Sequence, residues 1–312
     1  GVGEVKVPLY IVAGTVVVNF FLDPILIFGR FGAPAMGVTG AAIATLIAQL
    51  MAAIVALWVL FGGRFGIHVR WRDFKPDYAF VKRAFLLGYP ASIEQSARAV
   101  GMTLMTFLIV SFGTIVTAIF GVATSVINVA LIPAMGFSMA TSTLVGQNIG
   151  AGNISRAEKT ARLSALVTFI ALSLLGLVCS LLATPIVRFF VPQSPQVIAE
   201  GAHLLRIVSW SFGFVGLQFA LLGVLRAAGE MLAAMTTSLV SQWLLSLPLA
   251  YLLSKHTALG ADGLWWALPL SNIVTACIAG ALFLWGPWKT RKLTGRPSLA
   301  VQQEVVEEQA QM

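Results

Sequence analysis

Two acidic residues lie inside apolar stretches of this 312-residue chain, and they are the residues best placed to do chemistry. Asp23 has Asn19 four positions before it and Pro24 directly after it, whereas Glu94 has Arg98 four positions after it. A spacing of four places both side chains of a pair on one face of a helix. Because a charge inside a membrane-spanning stretch is costly, each acid predicts a functional site.

The Asn19–Asp23 pair has the chemistry of a binding site for a small cation. Pro24 cannot donate a hydrogen bond to the carbonyl of Phe20, so we expect a kink that frees this oxygen. Carboxylate, amide and carbonyl oxygens are hard ligands that suit Na⁺. The same carboxylate, removed from water, could instead carry a proton. The sequence leaves Na⁺ and H⁺ open, together with a purely structural role in which neighbouring polar groups satisfy Asp23.

The second acid, Glu94, also has two interpretations. It can form an ion pair with Arg98 within one helix, which lowers the cost of both charges. It can instead face a cavity, where Glu94, Arg98 and the adjacent Gln95 would take part in substrate binding or in coupling. Two further prolines inside apolar stretches, Pro90 and Pro248, predict helix kinks.

The composition indicates what kind of elements must position these residues. The chain is 58% hydrophobic and only 10% charged, whereas about 25% of the residues of a soluble domain are charged. Such a chain cannot cover itself with a polar surface, so we expect it to lie in a lipid bilayer. The net charge of +8 comes from Lys and Arg that recur in every second loop, which argues against one nucleic-acid footprint.

Continuous apolar runs predict an all-α integral membrane protein with eight transmembrane helices. The runs are 6–28, 38–62, 84–111, 114–143, 161–190, 201–226, 231–253 and 263–287. By the positive-inside rule, the basic residues of the connections, Arg226 among them, place the C-terminus in the cytoplasm. Only Arg30 and Lys255 fall in connections on the opposite side.

A repeated pattern indicates that the chain contains two related helix pairs. The segment 24–40 has a counterpart in 248–263, and each contains a proline followed by Gly-x-x-Gly at nearly the same separation. Parallel repeats are a usual way to build a transporter. The second repeat forms the last two of six consecutive apolar runs, whereas only two runs, those of the first repeat, precede them. We therefore expect the remnant of a two-lobe transporter of six plus six helices, lacking its first four helices and inactive by itself.

The same reasoning predicts the domain organisation and the role of the first acid. We expect four parts: the last two helices of an N-terminal lobe (1–62), a cytoplasmic linker (63–83), a six-helix C-terminal lobe (84–288) and a cytoplasmic tail (289–312). Aligned on the prolines, Asn19 and Asp23 correspond to Trp243 and Leu247. Because the second copy lacks the acid and the amide, the fold of the helix pair does not require them, which favours a functional role.

These motifs resemble those of the multidrug and toxic compound extrusion (MATE) family. The segments that carry the resemblance are Asn19-x-x-x-Asp23-Pro24 with 37–45 (helices five and six of the family), 88–94 (the start of helix seven) and 136–153 (the end of helix eight and the loop after it). The resemblance covers nearly the whole chain except the tail. It implies a cation-coupled antiporter, driven by H⁺ or Na⁺, that exports amphipathic and often cationic compounds.

The resemblance also implies that Thr45 joins Asn19 and Asp23 at the cation site. We expect a monomer in the cell (inner) membrane, with no organic cofactor and no nucleic-acid partner. Two other functions remain open. A lipid-linked saccharide flippase of the same superfamily would need several basic residues in its cavity, and only Arg98 lies well inside a run. An intramembrane enzyme would need a catalytic motif, and the sequence contains no familiar one.

Overall fold

The computed structural model describes residues 6–32, 34–62, 78–286 and 288. Within these residues the chain is helical and contains no strand, as the sequence predicts. The chain separates into two compact units, Gly1–Val81 and Lys82–Met312. This boundary lies in the segment predicted as a linker, of which residues 63–77 are outside the described part, as is the predicted tail, 289–312.

The first unit contains two apolar helices that pack against each other. Helix α1 spans Lys6–Phe28 and α2 spans Val38–Gly62, which are the bounds that the sequence predicts. The buried residues of α2 are Gly40, Ala44 and Ala48, which follow one another at the spacing of one helical turn. In a lipid bilayer the hydrophobic effect does not drive helices together, and small residues allow the close packing that stabilises a helix pair.

The second unit is built from the remaining helices, with the first turn of α3 lying before the boundary. These helices are α3 (Tyr78–Val110), α4 (Thr114–Gly150), α5 (Ile154–Leu181), α6 (Ala183–Phe190), α7 (Pro195–Ser209), α8 (Phe212–Ala227), α9 (Met231–Leu239), α10 (Leu247–Lys255) and α11 (Ala261–Trp285). The core lies where α4, α5, α7, α8 and α11 pack together. Helix α3 is not among the closely packed pairs and joins the core through side chains such as Met105 and Ile109.

Six helices of the described part are long and apolar enough to cross a bilayer, or seven if α7 and α8 form one bent span. The sequence predicts eight crossings. The predicted crossing that is not among the six or seven is α3, whose 33 residues carry Lys82, Glu94 and Arg98. Glu94 and Arg98 lie in the middle of α3, whereas the charged residues of α5 all lie near its N-terminal end.

Two of the predicted spans are interrupted. The run 161–190 divides at Leu182 into α5 and α6, and Pro185, in the first turn of α6, has no N–H to donate to the carbonyl of Leu181. The run 201–226 becomes the pair α7 and α8, which meet at 44°. At this bend Ser209 donates to the carbonyl of Leu205 at 2.6 Å. Serine hydroxyls that bond back to the preceding turn bend helices.

A third span contains a local change of helical type. Between α9 and α10 the segment Val240–Ser246 is π-helical, and Pro248 is the second residue of α10, which begins at Leu247. Proline has no N–H for the carbonyl of Leu244, so the wider turn accommodates the missing bond. Helices α1 and α3, in contrast, continue unbroken through Pro24 and Pro90.

The two helix pairs with related sequences have the same local geometry. Gly37 and Gly260 lie just before the second helix of each pair and have φ of 55° and 54°, a conformation that favours glycine. Three residues later, a Cβ on Gly40 or on Gly263 would collide with the backbone of the preceding helix. The glycines that the repeat shares are therefore those that the turn and the close helix contact require.

We predict that Gly263→Ala destabilises the full-length protein, because the new methyl group would overlap the carbonyl of Leu253 and force α10 and α11 apart. The expected cost is about 1–3 kcal/mol, measured as a lower midpoint of thermal unfolding in detergent. Gly280→Ala, on the same helix, is the matched control. A Cβ there meets nothing within 4 Å. Equal midpoints for the two variants would contradict this account of the contact.

Candidate functional site

The three residues predicted to form a cation site lie together in the first unit. The amide nitrogen of Asn19 lies 3.4 Å from an oxygen of Asp23 and 3.4 Å from the hydroxyl of Thr45 on α2. Thr45 donates in turn to the carbonyl of Ala41 at 3.0 Å. Asn19 and Asp23 are half-buried, whereas Thr45 is exposed on this unit. The contacts are long for hydrogen bonds, so the group is loosely held and can change its arrangement.

This arrangement has a defined chemical capacity. With its nitrogen toward Asp23, the Asn19 amide stabilises the ionised carboxylate. A bound Na⁺ would need the amide oxygen to face Asp23 instead, since cations are held by oxygen. A proton would need no such rotation. Asp23, Asn19 and Thr45 thus have side-chain oxygen atoms suited to either ion.

The packing gives a different alignment of the two helix pairs from that of the prolines. Gly40 meets Leu26, which lies three residues after Asp23, whereas Gly263 meets Leu253, which lies three residues after Ala250. In this register Asp23 and Asn19 correspond to Ala250 and Ser246, not to Leu247 and Trp243 as predicted. Neither register gives the second pair an acid, so the inference that this helix pair does not require one is unchanged.

The second predicted acid, Glu94, is buried and has partners that the sequence did not suggest. One of its carboxylate oxygens accepts hydrogen bonds from Arg226 of α8 and from Ser238 of α9, both at 2.7 Å. Arg98, the predicted partner, lies 3.5 Å from the same oxygen. The Glu94 side chain is 5% exposed, whereas those of Arg98 and Arg226 are 43% and 31% exposed.

The interpretation of Glu94 and Arg98 as an ion pair within one helix is therefore incomplete. Arg226 is the closer partner, although its position after an apolar run predicted a basic residue of a cytoplasmic connection. The only sequence signal for Arg226 as a partner of Glu94 was its position at the end of an apolar run. No sequence signal indicated Ser238. The pair joins α3 to α8 across 132 positions of sequence.

Glu94 and Arg98 line a cavity of about 240 Å³ inside the second unit. Its apolar lining includes Met102, Ile127, Leu131, Leu172, Phe212, Phe219 and Leu268, and its uncharged polar lining is Ser211, Gln218, Ser238, Ser241, Gln242 and Asn272. Gln95, which was predicted with Glu94 and Arg98, is exposed and is not part of this lining. The cavity can accommodate an amphipathic molecule, because apolar surface and hydrogen-bonding groups lie within it side by side.

We predict that Arg226→Gln lowers the midpoint of thermal unfolding of the full-length protein more than Arg98→Gln does. Removing the closer partner leaves the buried carboxylate with the Ser238 hydroxyl at 2.7 Å and one guanidinium at 3.5 Å, and breaking a buried pair costs up to about 3–5 kcal/mol. Arg162→Gln is the matched control. It breaks a 2.6 Å pair with Glu158, but there the arginine is 64% exposed and such pairs contribute about 0–1 kcal/mol. A smaller effect for Arg226→Gln than for Arg98→Gln would contradict this ranking.

Comparison with known proteins places this geometry in a family. A sequence model of the family described as MatE matches residues 90–252. A "Probable multidrug resistance protein NorM" of Thermotoga maritima is 28% identical over 296 residues, which are 95% of this chain and 63% of that protein. A "FAD transporter" of Shewanella oneidensis is 26% identical over 272 residues, which are 87% of this chain and 60% of that protein.

Solved structures agree with the sequence comparison. The crystal structure of the Vibrio cholerae MATE transporter VcmN in the bent form superposes with a TM-score of 0.79 at 26% identity. The match covers 91% of this chain and 63% of that one. The chain thus spans somewhat less than two thirds of the length of these relatives. Because the family model matches more than half of the chain, the protein belongs to the multidrug and toxic compound extrusion (MATE) family.

Proposed function

We propose that the full-length protein is an exporter of small amphipathic molecules, and not an enzyme, that exchanges its substrate for H⁺ or Na⁺ bound at Asp23, Asn19 and Thr45. The observation that supports this most is the contact of one amide, Asn19, with both the carboxylate of its own helix and the hydroxyl of α2. An ion that enters this group rearranges a link between two helices. Membership of a transporter family favours export over the flippase and the enzyme.

The coupling follows from differential affinity. A cation or proton at Asp23 favours the conformation in which the carboxylate is neutralised, and the exported molecule favours another. Since each ligand shifts the same conformational equilibrium by its difference in affinity for the two states, release of the ion and binding of the substrate are coupled. The loose 3.4 Å contacts of the ion-free group are suited to such a change.

The cavity of the second unit is proposed as the site of the exported molecule. It combines apolar side chains with the amides of Gln218, Gln242 and Asn272, a mixture that receives an amphipathic compound. Glu94 and Arg98 are its charged groups, and the exposed Gln95 lies outside it. One relative is named a FAD transporter, so substrates of related proteins are not limited to drugs.

We also propose how the chain lies in its membrane. Helix α3 is counted as a further crossing, because its 33 residues exceed the length needed to span a bilayer. With α7 and α8 as one bent span, this gives eight crossings. The basic connections place the C-terminus in the cytoplasm, and the protein is expected to act as a monomer in the inner membrane.

We predict that Asp23→Asn abolishes gradient-driven export by the full-length protein in proteoliposomes. Asparagine has the shape of the acid but neither exchanges a proton nor supplies a charge to a cation. Export of ethidium and of FAD would be measured under an imposed H⁺ gradient and, separately, under an Na⁺ gradient. The gradient that drives export by the wild type identifies the coupling ion.

Asp262→Asn is the control for this experiment. Asp262 is an acid in the first turn of α11 that faces His203 at 3.7 Å, and it belongs neither to the predicted cation site nor to the cavity. Export should remain at the wild-type level in this variant. Undiminished gradient-driven export by Asp23→Asn would remove Asp23 from the mechanism.

A further inference from the structure

The family resemblance implies cationic substrates, but the charges of the cavity do not fit a cationic ligand. Among the described residues that line it, only Glu94 and Arg98 are charged. A cation would need a carboxylate whose charge is not already balanced, and the charge of Glu94 is balanced by Arg226, whose guanidinium lies 2.7 Å from one carboxylate oxygen. The bonds of Glu94 to Arg226 and Ser238 are both 2.7 Å long, and its side chain is 5% exposed.

The charge balance of this group is positive. One carboxylate, Glu94, stands against two guanidinium groups, those of Arg226 and Arg98, so the net charge is +1. Arg226 makes the short bond, and Arg98 lies farther from the acid. A net positive charge beside a largely apolar cavity attracts an anion, because opposite charges attract each other more strongly near a protein surface than in bulk water.

Arg98 is the group that remains able to bind a ligand. Its side chain is 43% exposed and lines the cavity, with the guanidinium carbon 5.9 Å from the centre of the Phe219 ring. A guanidinium presents five N–H donors, and two parallel bonds to one carboxylate or phosphate are its preferred geometry. Contact with the ring face leaves the edge of the guanidinium for such bonds.

We infer that the cavity of the second unit binds an anionic amphiphile, with Arg98 holding its carboxylate or phosphate and the apolar lining holding its hydrophobic part. This inference rests on the export function proposed above and names the charge of the exported compound. The Glu94–Arg226 pair stays intact when the anion binds. The anionic group can belong to a water-soluble molecule or to a lipid headgroup, since both present the same oxygens to Arg98.

The test compares two ligands that share one fluorophore and differ in charge. N-dansylglycine carries a carboxylate and dansylcadaverine an ammonium group. Binding of each to the full-length protein in phosphatidylcholine nanodiscs is measured by equilibrium dialysis, with empty nanodiscs as the blank. The wild type should bind N-dansylglycine more tightly than dansylcadaverine. Tighter or equal binding of the cation would overturn the inference.

Variants of Arg98 assign the effect to this side chain. Arg98→Gln should weaken binding of N-dansylglycine by about tenfold or more, the factor that corresponds to one hydrogen bond with a charged partner. Arg98→Lys should keep the preference for the anion, since it keeps the charge. Arg188→Gln, which removes an exposed arginine of α6 outside the cavity, should bind as the wild type does. An affinity for the anion that does not change in Arg98→Gln would overturn the inference.

Loss of fold is not expected in Arg98→Gln, because Glu94 keeps its bonds to Arg226 and Ser238. Two competitors then separate the sources of the anion. Displacement of N-dansylglycine by phosphatidylglycerol in the nanodisc supports the anion site and assigns it to lipid headgroups. Displacement by inorganic phosphate alone supports it and assigns it to soluble anions.

Binding is measured here without turnover, so the two proposals can fail separately. Binding through Arg98 in a protein that exports nothing would contradict the export function and leave the anion site standing. Export that depends on Asp23, together with anion binding that is unchanged in Arg98→Gln, would contradict the anion site and leave the export function standing.

Discussion

One buried carboxylate of the second unit links three helices, and its charge must be neutralised. Glu94 of α3 is 5% exposed, and an unpaired charge at such a buried position would cost several kcal/mol. Arg226 and Ser238 supply two short bonds from α8 and α9. These bonds join α3 to α8 and α9, and the buried side chains of Met105 and Ile109 pack α3 into the core. The two bonds of Glu94 also leave the second arginine, Arg98, with a charge that faces a cavity.

The two units carry sites of opposite electrostatic character. In the first, an acid is accompanied by an amide and a hydroxyl, a set that attracts cations. In the second, two guanidinium groups accompany one acid, a set that attracts anions. An exporter that couples a cation to an anionic compound needs both kinds of site. The family assignment fixes the class of protein. The cation at the first site and the anion at the second are proposals that rest on these local charges.

Local sequence predicted those features whose cause is local. The bounds of α1 and α2 are as predicted, because each helix is one apolar run that ends at glycine-rich sequence. Asn19 and Asp23 were found by their spacing on one helix. Arg226 was assigned to a loop, because a contact across 132 positions leaves no periodic trace. The breaks near Pro185 and Ser209 were missed because hydropathy does not register lost backbone hydrogen bonds.

The central claim is that Arg226, more than Arg98, neutralises Glu94. Double-mutant cycles of unfolding free energy measure this directly, with Glu94→Gln combined once with Arg226→Gln and once with Arg98→Gln. The account predicts a coupling energy above about 1 kcal/mol for Glu94 with Arg226, and a smaller one for Glu94 with Arg98. A coupling near zero between Glu94 and Arg226, or a larger one with Arg98, would contradict it.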